Sequence, residues 1–281
     1  MDKGVLLRYY KRKDIQDAMV EHALDKEVGV RYGDGFGKRP DILKYPKEVI
    51  EWVINGVTSF HVSEEVWTNP LELNSDLSRK ELDEIREGWD LLLDIDCKIF
   101  EYSKICAELI IRFLKYCGVK DISCKFSGGK GFHIGVPFEV FPKRIKDTET
   151  RLLFPEAPKK IAFYIKENIK EELGKRILEL EKGDFGQVKK KTELDKEIVR
   201  FEKNKFGDQV AKLDAEPFLE IDTILIASRH LYRMPYSLHE GSSLASVVIN
   251  PDKVSEFEKK MAVPEQVKVS ELKFMDRKVQ E

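Results

Sequence analysis

The stretch Leu91-Leu92-Leu93-Asp94-Ile95-Asp96, an apolar run that ends in two carboxylates, decides the fold. Residues i and i+2 of an extended chain point to the same face of a sheet. The pattern therefore predicts a buried strand with Asp94 and Asp96 side by side, roughly 7 Å apart at the backbone. Adjacent carboxylates repel each other, and hard divalent ions such as Mg²⁺ and Mn²⁺ prefer their oxygens. The run indicates either a metal site or a strand end that turns into solvent.

A glycine-rich segment, Ser127-Gly128-Gly129-Lys130-Gly131-Phe132-His133, precedes the apolar Ile134-Gly135-Val136. This order predicts a tight turn that leads into a strand. Glycines let backbone N–H groups approach an anion closely, and Ser127, Lys130 and His133 add side-chain donors. A P-loop would instead need Gly-Lys-Ser/Thr ahead of a helix. A glycine-rich turn alone is usually a hairpin, but beside an Asp-x-Asp strand it favours a metal-and-phosphate site.

Composition limits the function classes. The 281 residues are 42% hydrophobic and 36% charged, with a net charge of −2, which is typical of a globular protein with a strongly ionic surface. A near-neutral balance gives no global positive field, so nucleic acid would need a local basic groove. The chain has no apolar run of about 18 residues and no signal-peptide hydrophobic region at its start. We expect a cytoplasmic protein without a membrane span, with residues 1–281 forming a single domain.

The four cysteines, Cys97, Cys106, Cys117 and Cys124, fall close together in sequence. They form no Cys-x-x-Cys knuckle and have no histidine among them, which argues against zinc. We expect structural thiols and no structural zinc.

Periodicity along the chain predicts the remaining elements. Helices are expected over 6–24, 45–55, 77–88 and 102–116, and strands over 27–32, 58–62, 91–96, 122–126, 218–226 and 242–249. The Lys- and Glu-rich block 155–212 is predicted to be a helical insertion within the domain, with Gly174 among the residues that interrupt it.

A third informative stretch is Phe218 to Ile226, another apolar strand that carries Asp222. It is followed by Arg229-His230-Leu231-Tyr232-Arg233-Met234-Pro235-Tyr236-Ser237-Leu238-His239. The chain has only five histidines. Three of them, His133, His230 and His239, lie in the glycine-rich and Arg/His-rich motifs, which favours contacts to phosphate.

The order Asp-x-Asp, then Ser-Gly-x-Lys-Gly-x-His, then a third Asp followed by Arg-x-Pro-x-Ser-Leu-His resembles the small catalytic subunit of archaeal and eukaryotic DNA primase. The resemblance implies the fold class α/β (mixed α+β), with a catalytic core that has flanking helices and a central sheet carrying three metal-binding aspartates. Asp94, Asp96 and Asp222 would hold two divalent ions, Mg²⁺ or Mn²⁺. The residues that the resemblance implies for nucleotide binding are Ser127, Gly128, Lys130, His133, Arg233 and His239, with His230 and Arg31 as further candidates.

The implied activity is DNA-dependent nucleotidyl transfer by two metals, which makes short primers from NTPs or dNTPs on a single-stranded DNA template. A primase large subunit would be the protein partner. This chain departs from the family pattern at Gly129, where a basic residue is common, and it lacks the zinc knuckle that is often found between the aspartate and glycine motifs. The sequence therefore fits a divergent, minimal primase.

Other functions stay open. An end-joining repair polymerase or a replicon-type primase-polymerase of the same superfamily would share the glycine-rich motif. The chain could also be a catalytically silent scaffold for a larger primase subunit, although its three aspartates argue against that. A metal-dependent nuclease would use the carboxylates but leaves the phosphate-binding turn unexplained.

Overall fold

The computed structural model describes residues 2–33, 35–194, 197–203, 205–222 and 226–276, without the side chain of Asp222. Seven helices lie within these ranges: α1 Lys3–Tyr10, α2 Lys13–His22, α3 Pro46–Ile54, α4 Arg79–Ile85, α5 Phe100–Tyr116, α6 Glu156–Leu180 and α7 Phe185–Thr192. The strands of the two main sheets are β1 Val28–Tyr32, β2 Gly35–Phe36, β3 Ser59–Ser63, β6 Leu91–Cys97, β7 Ser123–Phe126, β8 Phe132–Val136, β13 Leu219–Asp222, β14 Leu231–Arg233 and β15 Val248–Ile249. Three hairpins are formed by β4 Glu65–Trp67 with β5 Arg86–Trp89, β9 Arg144–Ile145 with β10 Thr148–Glu149, and β11 Val199–Lys203 with β12 Gln209–Leu213. The predicted mixed α/β class is confirmed.

The central sheet has five antiparallel strands in the order β13-β6-β8-β7-β15. The predicted carboxylate strand is β6, which lies between β13 and β8. A second antiparallel sheet has the order β14-β3-β1-β2. Helices α1, α2 and α3 contact it, because Tyr10 and Trp52 pack on Phe60 of β3 and His22 packs on Tyr232 of β14. Because β14 follows the Asp222 strand in sequence, the chain passes from the central sheet directly into the second one.

The two faces of the central sheet meet different neighbours. On one face Phe132 stacks on Phe100 of α5, with 5.3 Å between ring centroids, and Ile95 is fully buried. On the other face the ring of His133 meets the ring of Tyr232 in β14 at 6.0 Å. The residues of β6 and β8 alternate between these faces. Asp94 and His133 therefore lie in the crease between the two sheets, while helix α5 covers the opposite side.

The block 155–212 differs from the predicted all-helical insertion. Helix α6 runs unbroken through Gly174, and the block ends in the β11–β12 hairpin. Its charges are used in pairing between elements: Lys212 of β12 contacts both Glu171 of α6 (2.6 Å) and Glu202 of β11. A composition rich in Lys and Glu is common to exposed helices and exposed hairpins, so it did not reveal the hairpin.

Three other boundaries were predicted wrongly. The helix predicted over 6–24 is two helices, because Arg12 adopts an extended conformation and its guanidinium donates to the carbonyl of Val267 at 2.9 Å. The helix predicted over 77–88 ends at Ile85 and continues as β5. The strand predicted over 242–249 is reduced to Val248–Ile249. Residues 223–225 of the strand predicted over 218–226 lie outside the described part of the chain.

No helix in the described ranges is both long enough and apolar enough to cross a membrane.

Gly174 tests how α6 is held against the hairpin. A Cβ at this position would lie 2.4 Å from the carbonyl oxygen of Leu213. In an isolated helix Gly→Ala stabilises by about 1 kcal/mol. We expect Gly174→Ala to lower the free energy of unfolding instead, by about 1–3 kcal/mol, because a fixed backbone atom must move.

Urea unfolding measures this change. The exposed neighbour Lys175 serves as control, and Lys175→Ala should change the stability by less than about 0.5 kcal/mol. A Gly174→Ala protein more stable than the wild type would show that the close approach to Leu213 is wrong.

Candidate active site

Strand register builds the first part of the site. Asp94 pairs with His133 across β6 and β8, and His133 pairs with Lys125 across β8 and β7. The backbone of Asp222 pairs with that of Asp94 across β13 and β6, although the side chain of Asp222 lies outside the description. Directly opposed residues of an antiparallel sheet share a face. Two motifs far apart in sequence thus meet in one row across the sheet.

Asp94 and His133 are in contact. The Nε2 of His133 lies 3.4 Å from Oδ1 of Asp94, whose side chain is 27% exposed. Burial lowers the pKa of His133 well below its usual value, and the nearby cation of Lys125 adds to this shift. His133 is therefore a neutral imidazole at pH 7, and it presents a polar atom to Asp94 without adding charge.

Lys125 is a buried cation on the same face. Its Nζ donates to Oγ of Ser246 at 2.8 Å and lies 5.6 Å from the ring centroid of Tyr232. Burial lowers its pKa well below the ordinary lysine value, and the negative charge of Asp94 opposes that shift. Buried charges need compensating partners. The hydroxyl, the aromatic ring and the carboxylate provide them here.

The glycine-rich turn is held from within. Oγ of Ser127 accepts hydrogen bonds from the N–H groups of Gly129 and Gly131, each at 3.3 Å. The φ angle of Gly128 is +92°, in the left-handed region that favours glycine. A Cβ on Gly131 would lie 1.6 Å from the carbonyl oxygen of Ile95, so only glycine fits where the turn crosses β6.

His239 packs over this turn. Its Nδ1 accepts hydrogen bonds from the N–H groups of Gly241 (3.2 Å) and Ser242 (3.1 Å). A nitrogen that accepts carries no proton, so the ring hydrogen of neutral His239 is on Nε2. A Cβ placed on Gly129 would lie 3.3 Å from Nε2 of His239. His239 is half-buried and offers an N–H donor at the turn, as a phosphate contact requires.

Glu240 brings two predicted arginines together. Arg233 donates to Oε2 of Glu240 at 2.9 Å and to the carbonyl of Leu238 at 2.7 Å. Nε of Arg31 lies 3.7 Å from Oε1 of the same carboxylate, and Ser59 donates to that oxygen. The carboxylate orients both guanidinium groups and offsets part of their charge.

Two predicted residues lie apart from this group. His230 is held by Glu64, with 3.3 Å between Nδ1 and Oε1, and burial raises the pKa of Glu64 to about 7. Lys130 is exposed and lines a cavity that Asp96 also borders. The structure therefore brings Asp94, His133 and the glycine-rich turn together with His239, Arg233 and Arg31. Lys130 and His230 have their contacts outside this group.

Sequence reasoning missed Lys125, His61 and Glu240. His61 is 6% exposed and pairs with Arg233 across β3 and β14. Its Nδ1 is buried and has no hydrogen-bond partner among the described residues. The available signal was a lone His or Lys inside an otherwise apolar strand pattern. A lone His or Lys of this kind becomes informative only when its neighbour on the adjacent strand is known.

The donors fit a hard divalent cation only in part. Asp94 is partly accessible and Asp96 is exposed, so both carboxylates can be reached from solvent. Among the side chains that the structure describes, no group of three His, Cys, Asp or Glu residues converges as a metal site. The third predicted ligand, Asp222, is in register with Asp94, but its side chain belongs to the undescribed part. Carboxylate oxygens remain the donors that Mg²⁺ and Mn²⁺ prefer.

Comparison with known proteins gives a fold and little sequence similarity. No protein-family model matches the chain. The uncharacterised protein MJECS07 of Methanocaldococcus jannaschii is 34% identical over 106 residues, which are 37% of this chain and 23% of that protein. The chain thus matches about a quarter of the length of this curated relative.

Among solved structures, the polymerase domain of ligase D from Mycobacterium tuberculosis, in complex with DNA, is similar over 94% of this chain and 88% of that one. The TM-score is 0.51 and the sequence identity is 10%. The chain has the fold of that polymerase domain. The resemblance noted in the sequence and the likeness in structure both point to polymerase-type folds.

The buried His61 predicts a pH dependence of stability. Burial lowers its pKa well below its usual value, with Arg233 and Arg31 adding to the shift. The unfolded chain then takes up the proton more readily than the folded one, so stability is lost as the pH falls below about 6.5.

Urea unfolding between pH 7.5 and 5.5 should show a smaller loss of stability in His61→Gln than in the wild type. NMR titration of the His61 ring checks the cause directly. A ring that titrates at or above the usual histidine pKa would contradict this assignment.

Proposed function

We propose that this protein is a DNA-templated nucleotidyltransferase that synthesises primers by two-metal catalysis, as a catalytic primase subunit does. The observation that carries the proposal is the pairing of Asp94 with His133, which joins the carboxylate strand to the glycine-rich turn in one crease. The polymerase-domain fold supports the same reading. A metal-dependent nuclease would use the carboxylates but would leave a triphosphate-type turn unexplained.

The residues divide into two groups by chemistry. Asp94, Asp96 and Asp222 would hold the divalent ions, which activate a 3′-hydroxyl and neutralise the triphosphate. His133 contacts Asp94 and limits the positions that this carboxylate can take. Since His133 is neutral, it constrains Asp94 without competing as a cation for the carboxylate charge.

The second group faces the leaving group. The Nε2–H of His239 and the side chains of Arg233 and Arg31 would be the donors to the triphosphate. Charge builds on the pyrophosphate as it leaves, and fixed donors stabilise that charge without reorganising. The ion pairs with Glu240 hold the two guanidinium groups in place before the substrate arrives.

Primer synthesis on unprimed single-stranded DNA tests the proposal. NTPs and dNTPs are supplied separately with Mg²⁺ or Mn²⁺, with and without a candidate large subunit. New strands on unprimed template support a primase. The absence of any incorporation, on primed and unprimed templates alike, would leave the scaffold reading in place.

A second candidate function is extension of existing ends, as in an end-joining repair polymerase. The structural likeness to a ligase D polymerase domain favours it. Incorporation on gapped or primed duplexes, with none on unprimed template, would select this alternative. The same carboxylates and donors would serve both reactions, so the template requirement separates them.

Asp96→Ala tests the metal assignment. We expect incorporation to be abolished, because a metal ligand is lost, while the melting temperature stays unchanged or rises slightly as repulsion from Asp94 is removed. Glu87 is an exposed carboxylate of β5 and serves as control. Glu87→Ala should retain full incorporation. Near-normal activity of Asp96→Ala would overturn the assignment.

His239→Ala tests the nucleotide site. His133 cannot separate nucleotide from metal binding, because it contacts Asp94. A hydrogen bond to a charged group contributes about 1.5–3 kcal/mol, so kcat/KM for the nucleotide should fall roughly ten- to a hundredfold. Mn²⁺ affinity without nucleotide should not change. A variant that loses Mn²⁺ but keeps its nucleotide KM would make His239 a metal support.

A further inference from the structure

A cavity of about 210 Å³ adjoins the carboxylates on the β13 side. Its lining includes Asp96 of β6 and Lys98 just after that strand, Lys130 of the glycine-rich turn, Phe218 just before β13, and Glu220 within β13. No function has been assigned above to Lys98, Phe218 or Glu220. The cavity shares Asp96 with the proposed metal site, so its occupant would lie next to the metals.

Apart from Lys130, which comes from the glycine-rich turn, the cavity lining lies on β6 itself or on the side of it away from the triphosphate donors. In the sheet, β6 has β13 on one side and β8 on the other. His239 and Arg233 pack against Gly128 of the turn that leads into β8, while Phe218 directly precedes β13 and Glu220 lies within it. The metal ions held by Asp94 and Asp96 would therefore sit between the two regions.

Nucleotidyl transfer is an in-line displacement, in which the attacking and leaving oxygens lie on opposite sides of the phosphorus. The 3′-oxygen forms a bond to the α-phosphorus of the nucleotide while the bond to pyrophosphate breaks, and the hydroxyl proton passes to solvent. If pyrophosphate leaves toward His239, the 3′-hydroxyl must approach from the side of β13.

We propose that this cavity receives the 3′-terminal nucleotide of the strand being extended. This inference rests on the proposed function, because it takes the triphosphate to bind at the glycine-rich turn. Phe218 packs against Tyr102 at 5.8 Å between ring centroids and also lines the cavity, so its ring is braced for contact with a base or sugar. Aromatic side chains bind single-stranded nucleic acid in this way whatever its sequence.

The charges of the cavity fit a terminal nucleotide better than a triphosphate. Lys98 and Lys130 are exposed cations that can contact the backbone phosphates of the strand. Lys98 lies 3.5 Å from Glu193, but this ion pair is exposed and therefore weak, so a phosphate can replace the carboxylate. Glu220 is exposed and pairs with Asp96 across β13 and β6, which places a second carboxylate at the cavity. Glu220 is not among the proposed metal ligands, so its charge stays uncompensated by the ions and disfavours a polyanionic triphosphate in the cavity more than a strand end with one phosphate per nucleotide.

Primer-extension kinetics test the assignment, with primer–template and nucleotide varied separately. We expect Phe218→Ala and Lys98→Ala each to raise the KM for primer about five- to tenfold, as expected for a lost stacking or phosphate contact. The nucleotide KM should stay within about twofold. Phe218→Leu keeps most of the buried volume and should show the same effect if Phe218→Ala fails to fold. Lys143→Ala, an exposed lysine outside the cavity, is the control and should leave both KM values unchanged.

A photoreactive base at the 3′ end of the primer provides a readout that needs no catalysis. It should crosslink to the tryptic peptide 213–229, which contains Phe218. Variants that raise the nucleotide KM and spare the primer KM, or a crosslink elsewhere, would overturn the cavity assignment. A wild-type protein that gives the crosslink but incorporates nothing would overturn the proposed function and leave the binding site standing.

Discussion

The site depends on the backbone pairing of β6 with β8. This register sets Asp94 opposite His133. It also brings the glycine-rich turn against the backbone of Ile95, so closely that a Cβ on Gly131 would lie only 1.6 Å from the carbonyl oxygen. A slip of one residue would send every side chain of β6 to the other face. The carboxylates would then point at α5 instead of the crease, so one register joins the elements proposed to bind metal and phosphate.

The same crease controls the charge of the site. Burial lowers the pKa of both His133 and Lys125, while Asp94 favours the charged form of Lys125. Glu240 offsets part of the charge of Arg31 and Arg233. The free protein therefore carries a partly balanced set of charges there. Under the proposed function, a triphosphate with its divalent ions would enter without leaving any of these groups as an isolated buried charge, which would be costly.

Local patterns in the sequence predicted the strands that carry the carboxylates, the glycine-rich turn and the mixed α/β class. Features set by contacts distant in sequence could not be found that way. Gly174 does not interrupt α6; it lies where the helix approaches the carbonyl of Leu213. The β11–β12 hairpin is stabilised by ion pairs of Lys and Glu, and a Lys- and Glu-rich composition is also typical of an exposed helix. Lys125 and His61 become informative only once their cross-strand partners are known. The roles of the individual site residues remain predictions.

A net charge of −2 is compatible with a nucleic-acid substrate in this architecture. Much of the charge of the 155–212 block is used in exposed ion pairs such as Lys212 with Glu171 and Arg176 with Glu108. Paired surface charges are screened beyond about 10 Å at ordinary salt, so they contribute little field at the crease. The cations near the carboxylates, among them Lys98, Lys130 and Arg31, act at short range. Recognition of a phosphate backbone then depends on where these few cations lie, and the total charge of the chain has little influence on it.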